Sequence, residues 1–420
     1  MNLNKLKPDW KVVKFGDVVK NANLVERDIE GSGIERIVGL EHIDPENVHI
    51  RRWHSPEDGT SFTRKFVPGQ TLFGKRRAYQ RKVAFAEFEG ICSGDILTFE
   101  TKDSKALLPE LLPFICQTDA FFDYALSTSA GSLSPRTSWK ALKNFEFSLP
   151  PLDEQKRIAE ILWAADEAEY RLHETYYNLA DIEKKELIRV LEGGLTNAAR
   201  KILRAKSLFQ TQWINRAIPM DWKLRELREV IVEAKSGFAS GDRSNDGLVQ
   251  LRMNNVSRRC QPSWDELTRI PVTPEEYSSY LLVKGDILFN NTNSEDLVGK
   301  SFLFEEYTEP VVFSNHFTRL RVDADQIVPD YCALWIKRGF WIGLFQRRCQ
   351  RWIGQAAVQQ DNLLSLQILL PTLDEQQRIV DYFRQINSKF NEIENHIQIL
   401  RNIRKSLTNK LLPSEGDSHV

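Results

Sequence analysis

The sequence predicts a mixed α/β (α+β) protein made of two copies of one unit, each a globular domain followed by a long helix. Two observations lead to this fold class. Residues 149–158 recur as residues 370–379, with eight of ten positions identical at a constant offset of 221. After each copy, apolar residues return every seven positions, which is typical of a long helix that packs against another helix.

Two further landmarks define the domains. The tripeptide Asp-Trp-Lys at residues 9–11 recurs at residues 221–223, and residues 67–73 resemble residues 283–289 as a turn that enters a short strand. We therefore expect a pseudo-two-fold internal repeat. The predicted parts are a first domain at 1–150, a central helical region at 151–200, a second domain at 201–370, a distal helical region at 371–413 and a flexible tail at 414–420.

Both predicted helices have clear starts. A proline stands just before each one, and an Asp-Glu pair lies in each first turn, where the helix macrodipole favours acids. Forty residues of helix would be about 60 Å long, which is too long to lie wholly against a domain of this size. We therefore expect the two helices to pack together as an antiparallel coiled coil. Packing of each helix on its own domain alone remains the alternative.

The predicted core of the coiled coil consists mainly of isoleucine, leucine and phenylalanine. Glu169 and Glu183 interrupt the apolar series of the first helix, and Arg404 interrupts that of the second. The predicted core residues are Ile158, Leu162, Ala165, Leu172 and Leu179 in the first helix and Ile379, Phe383, Ile386, Phe390, Ile393, Ile397, Leu400 and Leu407 in the second.

Composition excludes several classes of protein. The five cysteines are far apart, odd in number and form no CxxC pair, so neither a disulfide framework nor a structural zinc site is expected, and a reducing cytoplasm is the natural location. No apolar stretch approaches the length that spans a bilayer. The 57 Lys and Arg residues balance 58 Asp and Glu residues, so no overall basicity indicates a nucleic-acid partner.

The motifs of DNA-acting enzymes are missing. Residues 299–301, Gly-Lys-Ser, end like a phosphate-binding loop, but Ser294 occupies the position that requires the first glycine. No Asn- or Asp-Pro-Pro-aromatic tetrapeptide is present, and the seven histidines form no ligand or catalytic pattern. We expect no cofactor, no metal and no catalysis in this chain, with a self-contained DNA enzyme as the alternative.

The paired Leu-Pro-x-Leu-Asp-Glu-Gln-x-Arg-Ile segments, each preceded by a domain that starts with Trp-Lys and each opening a long helix, resemble the specificity subunit (HsdS) of Type I restriction-modification systems. The resemblance covers nearly the whole chain. It implies two target-recognition domains that each read one half of a bipartite double-stranded DNA site, while the coiled coil sets the spacing between the halves. A coiled-coil scaffold without a DNA role is a further alternative.

The same resemblance implies the partners. The subunit itself would be non-catalytic and would dock two modification subunits, which methylate adenine. Restriction and translocase subunits complete the phage-defence assembly, and no membrane is involved. S-adenosylmethionine, ATP and Mg²⁺ are therefore expected in the partner subunits and none of them in this chain.

Two loops at equivalent positions are candidates for DNA contact. The first carries five cations in eight residues, a density suited to phosphates and guanine edges, and the second is rich in asparagine, which can pair with adenine. A solvated basic face and a plain turn are the respective alternatives. The predicted DNA-contacting residues are Lys75, Arg76, Arg77, Arg81, Lys82, Asn290, Asn291, Asn293, Lys300, Arg347, Arg348 and Arg351.

Two further segments, 131–136 and 354–360, occupy equivalent positions before the two repeats and are also candidates. Charge is unevenly distributed, since residues 1–150 carry 21 cations against 20 acids and residues 151–200 carry 7 against 11. A chain with only local basic loops should bind DNA weakly by itself. We therefore expect this chain to read DNA as part of a larger complex.

Overall fold

The computed structural model describes residues 9–195, 199–206 and 213–413. The predicted tail at 414–420 lies outside the described residues, as do residues 1–8 of the predicted first domain. The chain forms two compact units, one of Met1–Thr175 with Ile393–Val420 and one of Tyr176–Glu392. Within the described ranges, no helix is both long and apolar enough to cross a membrane.

The first unit contains ten strands and the start of a long helix. Its strands are β1 (Lys11–Lys14), β2 (Val19–Asn21), β3 (Leu24–Val25), β4 (Ile37–Val38), β5 (Arg64–Phe66), β6 (Thr71–Gly74), β7 (Val83–Phe85), β8 (Gly90–Cys92), β9 (Ile96–Thr101) and β10 (Glu146–Leu149). Its helices are α1 (Phe15–Val18), α2 (Ile29–Ser32), α3 (Leu112–Gln117), α4 (Asp119–Ser127), α5 (Trp139–Leu142) and the first part of α6 (Leu152–Arg189).

The second unit repeats this plan with additions. Its strands are β11 (Arg200–Lys206), β12 (Trp213–Pro219), β13 (Lys223–Glu226), β14 (Ile231–Ser236), β15 (Leu248–Leu251), β16 (Thr268–Ile270), β17 (Ile287–Asn290), β18 (Thr292–Asn293), β19 (Ser301–Leu303), β20 (Val311–Phe313), β21 (Phe317–Val322), β22 (Gln350–Trp352), β23 (Gln355–Ala357) and β24 (Gln367–Leu370). Its helices are α7 (Pro329–Trp341), α8 (Leu344–Arg348), α9 (Gln360–Leu364) and the first part of α10 (Leu373–Leu411).

The strand order agrees between the units. Each has a four-stranded antiparallel sheet, ordered β2-β9-β6-β7 in one and β14-β21-β17-β19 in the other. The strand that follows Trp-Lys pairs antiparallel with the strand before the long helix, β1 with β10 and β13 with β24. Each unit also has one parallel pair, β4 with β8 and β15 with β20. The mixed α/β class predicted from the sequence is therefore correct.

The repeated sequence segment forms the joint between each domain and its helix. In the first unit, Trp10 Nε1 donates to Glu154 Oε2 at 3.0 Å. The side-chain amide of Gln155 donates to the carbonyls of Ala106 and Pro150, while its oxygen accepts from the Leu108 N–H. The side chain of Gln155 thus forms hydrogen bonds with three backbone groups beside the first turn of α6.

The second unit has the same joint. Trp222 Nε1 donates to Glu375 Oε2 at 3.0 Å, and the Gln376 amide donates to the carbonyls of Gln326 and Pro371. Gln376 Oε1 accepts from the Val328 N–H at 2.8 Å, and the side chain is fully buried. The Trp, Glu and Gln of the two repeats therefore recur in sequence because they make the same hydrogen bonds.

The two long helices approach one another within each unit. In the first unit, Arg404 pairs with Asp166 and Arg401 with Glu169, so contacts advance along α6 as they go back along α10. In the second unit, Tyr176 packs on Phe390 and Tyr382 donates to Glu186, in the same opposed sense. Helix α6 passes at Val190 into a single π turn that reaches Gly194, where the positive φ of Gly193 ends the helical path.

The predicted core positions differ in depth. Six are buried, namely Ile158, Leu162, Ile379, Phe383, Phe390 and Ile397. The others are partly buried: Ala165, Leu172, Leu179, Ile386, Ile393, Leu400 and Leu407. Charged side chains lie at positions between these apolar residues.

The charged residues that interrupt the apolar series are buried rather than exposed. Arg404 binds Asp166 at 2.8 Å and Glu169 at 3.2 Å in the first unit. In the second, Glu183 binds Lys337 of α7 at 2.6 Å and Arg259 at 3.2 Å. Asp166, Glu169 and Glu183 thus each have a buried cation opposite, which satisfies a charge that burial alone would make costly. The interruptions are therefore internal ion pairs.

Replacing Gln376 with leucine should destabilise the second unit. The substitution leaves the Val328 N–H and two carbonyls without their buried partner, and each such group costs about 1–3 kcal/mol. We expect Gln376→Leu to lower the free energy of unfolding by about 3 kcal/mol or more in urea titrations. Gln377→Leu, at the partly exposed neighbouring position whose side chain bonds Asp381, is the control and should change it by less than about 0.5 kcal/mol. Equal stability of the two variants would contradict the assigned joint.

Candidate nucleic-acid interface

The first predicted loop joins a second segment of the same unit. Residues 75–82 connect β6 to β7, and Arg76 forms a β-bridge with Arg136, whose own segment folds back on Ala130. Arg76 and Arg77 both donate to Ser134 Oγ at 3.3 Å. The loop and the turn at 130–136 therefore form one surface, which we call the first loop–hairpin surface.

Asp95 organises the cations of this surface. It binds Arg136 at 3.0 Å and Arg76 at 3.4 Å. Burial opposes its ionisation, but the hydrogen bonds and charges of Arg136 and Arg76 outweigh burial and lower the pKa of Asp95. Arg77 and Tyr79 are exposed, whereas Lys75 is half-buried and its pKa is lowered by that burial. The surface presents fixed guanidinium groups to solvent.

Two of the five predicted cations of this loop point into the domain. Arg81 pairs with Glu46 at 3.1 Å and Asp119 at 2.8 Å, and its guanidinium lies 4.4 Å from the ring centre of Phe122. Lys82 Nζ donates to the Leu40 carbonyl at 2.7 Å, and burial lowers its pKa. Both side chains are occupied by structural contacts, so we remove them from the DNA-contacting set.

The asparagine loop of the second unit is also internal. Asn290 is fully buried and donates to the carbonyls of Thr292 and His316, while Asn293 is buried and donates to Asn290 Oδ1 at 2.6 Å. Asn291 is partly buried and donates to Thr318 Oγ1 at 3.0 Å. These amides hold the turn together and are not an exposed reading loop.

Lys300 is internal for a similar reason. Its Nζ donates to the carbonyls of Met253 and Val256, and burial lowers the pKa of this ammonium group. Lys300 is therefore removed from the predicted set together with the three asparagines.

A hairpin beside this turn carries the exposed groups of the second unit. Strand β18 pairs with β23, and β23 pairs with β22, so the hairpin of residues 350–357 extends the turn. Arg351, which pairs with Glu295 at 2.8 Å, is exposed together with Trp352 and Ile353. Gly354 has a φ of 78°, the left-handed conformation that the tight turn requires. We call this the second loop–hairpin surface.

Helix α8 supplies the remaining predicted cations. Arg347 is exposed at the end of this helix, whereas Arg348 is half-buried and donates to Ser365 Oγ at 3.2 Å. Burial lowers the pKa of Arg348. Arg347 and Arg351 are thus the better-exposed cations among the predicted residues of this unit.

Sequence reasoning missed one feature that both surfaces share. Leu133, 92% exposed, lies in the turn at 130–136, and the fully exposed Ile353 lies in the hairpin at 350–357. Each surface thus combines exposed arginine with a highly exposed apolar side chain. Both residues stand within two positions of a glycine with positive φ, Gly131 and Gly354, which is the sequence signal for such turns.

One group of side chains has metal-like composition. In the described part of the chain, ligand atoms of Glu41, His42 and His54 all lie within 4.8 Å of one another. However, His42 Nδ1 accepts a hydrogen bond from the Gly39 N–H at 2.8 Å. A neutral imidazole that accepts at Nδ1 carries its proton on Nε2, the nitrogen that a metal would need. The group does not fit a metal site in this arrangement.

A basic histidine links the first domain to α6. His49 lies 2.8 Å from Asp166 and 3.1 Å from Glu87. Burial opposes its protonation, but hydrogen bonds and charge from these two carboxylates raise the pKa of His49 to about 9. His49 is therefore an imidazolium cation at neutral pH and has a structural role.

Comparison with known proteins identifies the class. Residues 7–180 and 219–402 match the family model of the Type I restriction modification DNA specificity domain. The chain therefore belongs to the Type I restriction-modification DNA specificity family and carries two copies of its domain. It is a DNA-recognition subunit, not a catalytic one, and it works with DNA and the other subunits of such a system.

Individual relatives agree with this assignment. The chain is 27% identical over 199 residues to the putative type I restriction enzyme MjaX specificity subunit of Methanocaldococcus jannaschii, covering 46% of each chain. It is 23% identical over 415 residues to the StySPI specificity subunit of Salmonella potsdam, covering 98% of this chain and 82% of the relative. The aligned region therefore spans about half the length of the first relative and most of the second.

A solved structure shows the same fold. The S subunit of the Type I restriction-modification system from M. genitalium matches with a TM-score of 0.51 at 15% identity, covering 98% of this chain and 99% of that one.

Proposed function

We propose that the domains at 1–150 and 201–370 each recognise one half of a bipartite double-stranded DNA site through the two loop–hairpin surfaces. The observation that supports this proposal is the recurrence, in both units, of exposed arginine and an exposed apolar side chain on a loop braced by a neighbouring turn. The proposed contacts in the first unit are Arg76, Arg77 and Leu133, with Lys75 at the edge. Those in the second are Arg347, Arg351, Trp352 and Ile353, with Arg348 at the edge.

The chemistry of these groups suits base edges as well as phosphates. An arginine held by Asp95 or Glu295 loses less conformational freedom on binding than a free one, and its remaining N–H groups can bind guanine or phosphate oxygens. Leu133 and Ile353 can contact thymine methyl groups or lie against base steps. Recognition would therefore combine charge with apolar contact.

Removing Arg76 and Arg77 together should impair one half-site only. We expect the Arg76→Ala, Arg77→Ala variant, assembled with its partners, to lose protection at one half of the DNA site. Affinity for the whole site should fall by about tenfold or more, since one base-contacting arginine contributes about 1–3 kcal/mol. Footprinting and fluorescence anisotropy measure the two effects.

The matched control removes two cations that are exposed elsewhere in the first domain, Arg27→Ala with Lys105→Ala. It should leave both half-sites protected. If the Arg76, Arg77 variant protects both halves as well as the control does, the first loop–hairpin surface does not read DNA.

We further propose that α6 and α10, in the helical regions at 151–200 and 371–413, form an antiparallel coiled coil with pseudo-two-fold symmetry. The length of this coiled coil would set the spacing between the two half-sites. The opposed contacts inside each unit and the paired joints support this arrangement. Two repeats of one surface would give two equivalent sites for the modification subunits, each bringing S-adenosylmethionine.

Exposed apolar residues on the helices support these docking sites. Leu152 and Leu373 are 38% and 39% exposed, and Ile182 and Ile403 are 54% and 47% exposed. The members of each pair are 221 positions apart, the offset of the repeated segment. The recurrence of exposed apolar residues at the repeat offset supports two copies of one partner surface.

Acidic substitutions at the isoleucine pair should release the partners one at a time. We expect Ile182→Asp or Ile403→Asp to leave a complex with one modification subunit and the double variant to leave none, because an aspartate in an apolar interface is strongly unfavourable. Native mass spectrometry counts the subunits. Val283→Asp, at another exposed apolar position, is the control and should retain both. Retention of two subunits by the double variant would contradict docking at this pair.

The remaining parts of the proposal concern the assembly. ATP and Mg²⁺ would act in the restriction and translocase subunits, and the complex would work in the cytoplasm, where the DNA is. All five cysteines of the chain are unpaired thiols, four of them buried, which suits a reducing compartment.

A further inference from the structure

The segment between the two matched regions contains an unexpected two-stranded ribbon. Strands β11 and β12 pair antiparallel over seven residues, from Arg200 opposite Pro219 to Lys206 opposite Trp213. The family model matches residues 7–180 and 219–402, so nearly the whole ribbon lies outside the two specificity domains. We call β11 and β12 the connecting ribbon.

The charge of this segment differs from that of the rest of the chain. Residues 193–220 contain five cations and no acid. The remainder of the chain therefore holds 52 Lys and Arg against 58 Asp and Glu. The five cations are Arg200, Lys201, Arg204, Lys206 and Arg216. A net charge of −1 thus conceals a strongly basic segment in an otherwise acidic protein.

One face of the ribbon is anchored in the second unit. Residues opposite each other in an antiparallel pair share a face, so Lys201 and Ile218 lie on the same side. Ile218 is buried in a cluster with Leu187, Val190 and Leu191 of the end of α6 and its π turn. The root is held further by Arg200, which donates to the Gly193 carbonyl at 2.8 Å. The ribbon is therefore anchored to the protein at its root, where β11 begins and β12 ends.

Beyond this root, the face opposite to Ile218 is exposed. Alternation along the strand places positions 200, 202 and 204 together on the face opposite to Ile218. Arg200, Arg204 and the cross-strand Ala217 are exposed, and Ile202 is 70% exposed. An exposed strand face that carries arginine beside isoleucine, on a segment without acids, suits a ligand of negative charge.

We propose that the connecting ribbon binds the phosphate backbone of DNA, independently of sequence, as a contact additional to the two target-reading surfaces. A two-stranded β-ribbon fits the major groove of B-DNA, and its cations would replace counterions condensed on the phosphates. The five cations without an acid complement the continuous negative charge of a phosphate backbone, which favours DNA over a protein partner. The proposal deepens the proposed function and rests on DNA being the ligand of this chain.

The test measures salt dependence in the assembled complex. The variant Arg204→Gln, Lys206→Gln removes two ribbon charges. The control Arg228→Gln, Lys284→Gln removes one arginine and one lysine that are exposed on the same unit. Dissociation constants are measured between 50 and 300 mM KCl for two 40-base-pair duplexes, one of random sequence and one selected by the complex from a random library.

Loss of two phosphate contacts should reduce the slope of log Kd against log salt by about 1.8, since each contact contributes about 0.9. The reduction should be equal for the two duplexes and absent in the control. An unchanged slope in the ribbon variant overturns the proposal. An unchanged slope together with loss of modification subunits from the complex also overturns it and assigns the ribbon to a protein interface.

The same data separate this proposal from the proposed function. If the wild-type complex binds both duplexes equally, target recognition by the loop–hairpin surfaces fails. The slope on the random duplex still decides whether the ribbon contacts phosphates.

Discussion

In each unit, the positions of the loops and of the long helix depend on the joint between the domain and that helix. A tryptophan from the start of the domain donates a hydrogen bond to a glutamate in the first helical turn. The glutamine next to that glutamate forms hydrogen bonds with three backbone groups. These hydrogen bonds are buried or partly buried, so they cannot be exchanged for water without cost. They fix the angle at which the helix leaves the domain, and thereby the orientation of the loops relative to that helix.

The buried ion pairs extend this constraint along α6. Asp166, Glu169 and Glu183 are withdrawn from water, and each meets a cation from α10 or from a domain. A buried carboxylate without its partner is strongly destabilising, whereas an apolar residue tolerates several packing registers. The buried acids therefore specify one packing register of the helix against its domain. In exchange, less apolar area is buried than in a helix with an uninterrupted apolar series.

The sequence was sufficient for the mixed α/β class and the two long helices, and insufficient for the exposure of loop side chains. The repeat offset of 221 and the seven-residue periodicity predicted the two long helices, whose observed starts at Leu152 and Leu373 place the Asp-Glu pairs in the first turn, as predicted. These signals are local or strictly periodic, so they survive without knowledge of tertiary contacts. Glu169 looks like an interruption of the apolar series because its buried partner, Arg404, lies more than two hundred positions away in the sequence.

The exposure of the loop side chains could not be predicted for the same reason. Arg81 and Arg77 look equivalent in a run of cations, but only the fold shows that Arg81 turns towards Asp119 while Arg77 is exposed. Asn290 is of a residue type that can pair with adenine, but its side chain is fully buried in the domain. Exposure of a loop side chain depends on tertiary contacts that no local pattern encodes. The connecting ribbon left a sequence signal, the absence of acids over residues 193–220, that only a segment-by-segment charge count would find.

The central claim is that one chain contacts one DNA molecule through two separate recognition surfaces. Hydroxyl-radical footprinting of the assembled complex, on a duplex selected from a random library, tests this claim most directly. The account predicts two protected patches separated by bases that tolerate substitution, with a different sequence preference in each patch. A single continuous patch with one sequence preference, or the same sequence preference in both patches, would contradict it.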